Sequence, residues 1–147
     1  MTLRDAVTDL VLETFRLNGR LLLSGDALVA DISLSSARWQ VLGAIALSPV
    51  PLPVAHIARN MGLSRQAVQR LVREMVVDGL LQLGLNPHHR RAQLVLLTVR
   101  GKSAYAAAMK RQGPWADRLA AGLTTKQLTA ASAVLRALRQ RLDTLDA

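Results

Sequence analysis

Four polar side chains on one short stretch of this 147-residue chain carry its most informative chemistry: Gln66, Gln69, Arg70 and Arg73. With Arg65 placed at 0° on a helical wheel, they fall between about 40° and 140°. Ala67, Val68, Leu71, Val72 and Met75 fall between about 200° and 340°, so one face packs inward and the other stays polar. That polar face offers two amides and two guanidiniums and no carboxylate. A glutamine amide can pair bidentately with adenine N6 and N7, and an arginine with guanine O6 and N7. Ser64 is a good N-cap for the same helix, and the free N–H groups at Ser64 and Arg65 favour a phosphate. Further on, Arg90 and Arg91 end a polar tip from which they could reach a minor groove or the backbone. The candidate DNA-binding set is therefore Ser64, Arg65, Gln66, Gln69, Arg70, Arg73, Arg90 and Arg91.

A polar helix face can also be merely solvated. Regional charge argues otherwise. The formal net charge is +9, yet residues 1–58 carry −1, residues 59–118 carry +8 and residues 119–147 carry +2. The excess sits where the candidate side chains sit, as expected for a polyanionic partner.

The elements that must position these groups follow from pattern and punctuation. Leu3, Val7, Leu10, Leu17 and Leu21 recur at helical spacing, so the first thirty residues read as a helix, weakened at Asn18 and Gly19. A second helix begins at Ser35 or Ser36 and runs to about residue 48, where Pro49, Pro51 and Pro53 stop it. A short helix over 54–60, a turn at Gly62 and the helix over 64–78 follow, the last ended by Gly79. Two apolar runs, 80–85 and 92–98, flank the polar tip and read as a β-hairpin. Thr98 caps a further helix, which Gly113-Pro114 should break or kink. Thr124 and Gln127 fit a capping box, and Leu128, Leu135 and Leu142 then alternate with Ala131, Leu138 and Leu145 in an a/d pattern.

Helix, tight turn, helix, hairpin is the order of a winged helix-turn-helix. The fold class is mostly α with a small β-hairpin wing, joined to a helical dimerisation region. Its expected parts are an N-terminal dimerisation helix (1–32), the DNA-binding region (33–98) and C-terminal dimerisation helices (99–147), in one compact domain.

Several function classes are excluded or left without support. There is no cysteine, which removes disulfides, thiolate catalysis and cysteine zinc sites. Four aromatic residues are too few for a stacking platform along single-stranded nucleic acid. No apolar run approaches the ~18 residues of a membrane span, and Asp5, Asp9 and Glu13 interrupt any signal peptide, so a cytoplasmic location is expected. His88 and His89 are neighbours on a tip and should diverge, so neither a metal nor another cofactor is expected. No catalytic triad, carboxylate pair or phosphate loop stands out, and the chain does not read as an enzyme.

The stretch Val54-Ala55-His56-Ile57-Ala58-Arg59-Asn60-Met61-Gly62-Leu63-Ser64-Arg65-Gln66-Ala67-Val68 resembles the helix-turn-helix of the MarR family, the multiple-antibiotic-resistance regulators. Asp78-Gly79-Leu80-Leu81, Asn86-Pro87, then Arg90 through Val95 with Thr98 and Gly101 are similar to its second strand, wing and helix entry. Leu34-Ser35 and Trp39-Gln40-Val41-Leu42 match its second helix, so the likeness covers nearly the whole chain. The resemblance implies a homodimeric transcription regulator, usually a repressor, that binds double-stranded DNA at an inverted repeat and is released by a small-molecule effector. It implies residues 64–78 as recognition helix, Arg90 and Arg91 as wing arginines, and dimerisation through the terminal helices. Phe15, Trp39 and His56 are the candidates for lining an effector pocket, although Phe15 and Trp39 read more readily as core. Pro53 and His56 stand where the family often caps its short helix. His89 replaces the usual wing aspartate, removing a carboxylate that would orient Arg91. Two other functions share the basic face: nonspecific or architectural DNA binding, and a winged-helix protein-interaction module.

Overall fold

The computed structural model describes residues 1–146, which form two compact units, Met1–Gln112 and the residues from Gly113 onward. Helix α1 (Leu3–Val29) starts at a capping box: Asp5 N–H donates to Thr2 Oγ1 (3.1 Å) and Thr2 N–H to Asp5 Oδ2 (2.8 Å). It runs unbroken through Asn18 and Gly19. A 3₁₀ turn (Ala30–Ile32) ends at Ser33, in the left-handed region at φ 60°. Helix α2 (Ser36–Ala46) is capped by Ser35, whose Oγ accepts from Arg38 N–H at 3.1 Å. Its first residue is bound to α1, with Ser36 N–H donating to Asp26 Oδ1 (2.7 Å) and Ser36 Oγ to the Leu22 carbonyl (2.8 Å). A Cβ on Gly25 would lie 2.3 Å from Ser36 Oγ, so glycine permits this close crossing.

Beyond the prolines come β1 (Leu52–Pro53), α3 (Val54–Met61), α4 (Arg65–Val77), β2 (Leu81–Gly84) and β3 (Leu94–Leu97). The wing is more than the expected hairpin. Strands β2 and β3 pair antiparallel, but β1 adds a third, in the order β1-β3-β2, with Leu52 opposite Val95 and Pro53 opposite Leu94. Proline is tolerated because β1 is an edge strand, where a missing N–H breaks no central ladder. The core gathers Val41 and Leu42 of α2, Ile57 of α3, Val68, Val72 and Met75 of α4, and Leu81 and Val95 of the sheet, all buried.

Helix α5 (Val99–Ala120) begins at Thr98, whose Oγ1 donates to the Gly79 carbonyl (2.6 Å) and accepts from Gly101 N–H (3.0 Å). The expected break at Gly113-Pro114 does not occur; α5 continues with Pro114 inside it. Proline removes one donor and crowds one carbonyl, a local cost that a 22-residue helix can carry when turns on both sides are intact. Arg111 ties α5 to the end of α1, donating to the Leu28 carbonyl (3.0 Å) and pairing with both Asp31 carboxylate oxygens. That guanidinium holds the Asp31 carboxyl below the usual carboxylate range. In the second unit, α6 (Thr125–Leu145) starts at the expected capping box, with Gln127 N–H to Thr124 Oγ1 (3.1 Å) and Thr124 N–H to Gln127 Oε1 (2.9 Å). Among the described residues no helix is long and apolar enough to cross a membrane.

Candidate nucleic-acid interface

Helices α3 and α4 are joined by a turn that requires glycine. Gly62 sits at φ 65° and its N–H donates to the Arg59 carbonyl (3.3 Å), while Leu63 N–H reaches the Ala58 carbonyl (3.0 Å). These bonds satisfy the last carbonyls of α3, as a left-handed helix end does. Ser64 then starts α4, its Oγ accepting from Ala67 N–H at 3.1 Å. Val68, Val72 and Met75 are fully buried and Leu71 is half-buried, as the wheel predicts, whereas Ala67 lies exposed. The core thus fixes the rotation of α4 and turns Arg65, Gln66, Arg70 and Arg73 to the surface, with Gln69 half-buried.

A cleft of about 930 Å³ runs between this face and the wing. It brings together Arg65, Gln66, Gln69, Arg73 and Arg91 of the expected set. Ser64, Arg70 and Arg90 do not line it. Ser64 acts as the cap, and Arg70 extends into solvent with Nε 4.0 Å from Glu74 Oε1, too loose a pair to hold it. Arg90 is exposed on the wing tip. Arg59, at the C-terminal end of α3, lines the cleft and is missing from the expected set. It belongs to the basic stretch, and its position three residues before Gly62 carries the signal: a reversal at Gly62 returns it towards Arg65. The lining holds four arginines and all three histidines of the chain and no Asp or Glu. Such a surface offers donors and positive charge throughout, and the Leu52, Leu83 and Leu94 side chains supply apolar contacts.

The wing tip has an internal clamp. Asn86 Oδ1 accepts from His88 N–H (3.0 Å), and Asn86 Nδ2 donates to the Ala92 carbonyl (2.9 Å). His89 N–H reaches the Asn86 carbonyl (3.3 Å) and Ala92 N–H the His89 carbonyl (3.2 Å). This asparagine closes the loop at its base. Among the described residues Arg91 has no ion pair. His88 and His89 gather no third metal-ligating side chain among those residues.

The three effector-pocket candidates are not brought together. His56 lines the basic cleft, Trp39 packs half-buried against the core, and Phe15 is 70% exposed on α1.

The MarR family model matches residues 32–92, which include most of the residues that line this cleft. An uncharacterised protein of Mycobacterium tuberculosis is 36% identical over 132 residues, covering 90% of this chain and 91% of its own. Among solved structures, a MarR variant from E. coli complexed with operator DNA superposes with a TM-score of 0.78 at 17% identity, over 94% of this chain and 99% of that one. CouR from Rhodococcus jostii, bound to p-coumaroyl-CoA, superposes with a TM-score of 0.76 at 22% identity, over 84% and 87%.

Proposed function

The chain belongs to the MarR family of DNA-binding transcription regulators, and on that premise we propose that it acts as a homodimeric, sequence-specific repressor released from an inverted-repeat operator by a small-molecule effector. The observation that carries the reading is the acid-free cleft between α4 and the wing, in which arginines stand beside the Gln66 and Gln69 amides of α4, groups that can read base edges. Arg65, Gln66, Gln69 and Arg73 are the major-groove set. Arg59 and Arg91 meet phosphate or the minor groove, and Arg70 and Arg90 stay within reach of a duplex from outside the cleft. Both named structural neighbours support the scheme by analogy, one holding operator DNA and the other an acyl-CoA.

Two copies supply the second recognition helix. A two-fold dimer sets these helices ~34 Å apart and selects half-sites ~10 base pairs apart. Footprinting on the promoter beside its own gene, with anisotropy against a random duplex, tests the reading. Specific binding should exceed random binding by well over tenfold. Equal affinity for both duplexes would favour an architectural role, and no shift of any duplex at ~50 mM salt a protein-interaction role.

A further inference from the structure

The chain contains three histidines, and all of them line the cleft between α4 and the wing. His56 comes from α3, His88 and His89 from the wing tip. All three are exposed, and none joins an ion pair among the described residues. The Asn86 clamp fixes the backbone of both wing histidines: His88 N–H donates to Asn86 Oδ1 (3.0 Å) and His89 N–H to the Asn86 carbonyl (3.3 Å). The charged groups that share the lining are Arg59 of α3, Arg65 and Arg73 of α4, and Arg91 of the wing. The strands bring only uncharged side chains to it, Leu52 and Pro53 from β1, Leu83 from β2 and Leu94 from β3. Glu74 of α4 stands outside, beside Arg70. No carboxylate of the cleft is therefore placed to pair with an imidazolium, and that part falls to an arriving anion.

Imidazole is the side chain whose charge changes near neutral pH. Neutral, it has one N–H donor; protonated, it has two, and a neighbouring phosphate favours that form. We propose that His56, His88 and His89 contact DNA in their protonated form, so that DNA binding takes up protons and tightens as the solution is acidified. The inference rests on the DNA-binding reading and adds three ligands to its arginines and glutamines. Linkage fixes the sign. A complex that holds more protons than its separate parts gains affinity as pH falls, and the slope of log affinity against pH counts the protons. Each imidazolium on a phosphate also displaces a counterion, so the salt dependence must steepen in acid.

Anisotropy with a duplex from the promoter beside its own gene, at constant ionic strength, reads both effects. Affinity should rise at least ~10-fold from about pH 8.5 to about pH 6. Over the same range the slope of log affinity against log salt should steepen by ~1 or more. Calorimetry at about pH 7 in MOPS and in imidazole buffer, whose heats of ionisation differ, should report net proton uptake by the wild-type protein. His88→Gln with His89→Gln should flatten the pH dependence, and adding His56→Gln should flatten it further. His88→Arg with His89→Arg keeps the charge at every pH, so it should raise affinity on the alkaline side and remove most of the pH dependence. An affinity that changes less than ~2-fold over the range, equal heats in both buffers, or a slope untouched in the triple glutamine variant overturns the proposal. Wild-type protein that binds no duplex at any pH counts instead against the DNA-binding reading. Heparin, a polyanion without bases, then decides by the same two-buffer calorimetry whether the histidines take up protons.

Discussion

Helices α4 and α6 carry the same kind of apolar stripe with opposite fates. In α4, Val68, Val72 and Met75 are 0% exposed, covered by α2, α3 and the sheet. In α6 none is buried: Leu128, Leu135 and Leu142 are 43%, 40% and 56% exposed. Helix α1 resembles α6, with Val7, Val11, Phe15 and Leu17 all exposed. Periodicity announces a face that wants covering, but only the remaining elements determine whether the chain can cover it. The winged region is self-sufficient. The terminal helices hold apolar area for which the proposed homodimer provides the cover.

The sharpest way to break this contrast is a charge on the uncovered stripe. Leu135→Glu should leave the helix content intact and convert the dimer to monomer, because an unpaired carboxylate would be buried at the seam. Sedimentation should show the monomer, and operator affinity should fall by at least ~100-fold as the second recognition helix is lost. A dimer that persists in this variant would remove α6 from the interface. The complementary change lies in the covered stripe. Met75→Ala should cost ~2–5 kcal/mol of stability through the cavity it leaves, read by denaturant unfolding. A loss below about 1 kcal/mol would show that the core around α4 closes over the gap.

Smaller effects sort the cleft from its surroundings. Gln66→Ala or Arg73→Ala should cost ~1–3 kcal/mol at particular base positions, whereas Arg91→Ala should weaken all duplexes with little regard to sequence. Arg70→Ala, outside the cleft, is expected to relax sequence preference less than Gln66→Ala. A selection experiment returning unchanged preferences for Gln66→Ala would remove base reading from that side chain. The smallest effect concerns acid. Because Arg111 depresses the Asp31 carboxyl in the folded state, the pair contributes stability above the unfolded carboxylate value of ~3.9 and loses it as pH falls through the lower folded value. Thermal melts should therefore show a shallower acid-side decline in Asp31→Asn than in wild type.

Much of this arrangement is legible in the sequence, and the reasons differ by element. Ser35, Ser64 and Thr124 mark helix starts because their hydroxyls bond locally, within three residues. The rotation of α4 follows from apolar spacing alone. Strand β1 was not legible: two residues, one of them proline, have no period, and their pairing with β3 lies some forty positions away. That α5 continues through Pro114 without a break is not legible, because proline's local penalty says nothing of how well the flanking turns hold. The place of Arg59 is not legible because a helical wheel treats one helix at a time, while the cleft is made by a turn and a wing together. The wing clamp depends on Asn86 reaching Ala92, a closure that composition does not reveal.

The acid-free lining of the cleft between α4 and the wing has a thermodynamic side in the unbound protein. Four guanidiniums facing one concavity repel each other, so the fold works against its own electrostatics whenever nothing anionic is present. Small anions condensing there relieve part of that repulsion, and a polyanion relieves more. Melting temperature should accordingly rise in the order chloride, sulfate, heparin, most steeply at low ionic strength, because the clustered arginines of the native cleft bind each anion more tightly than the unfolded chain does. In a cell crowded with nucleic acid, the cleft would spend little time empty, and its occupants would be a standing contribution to the protein's persistence.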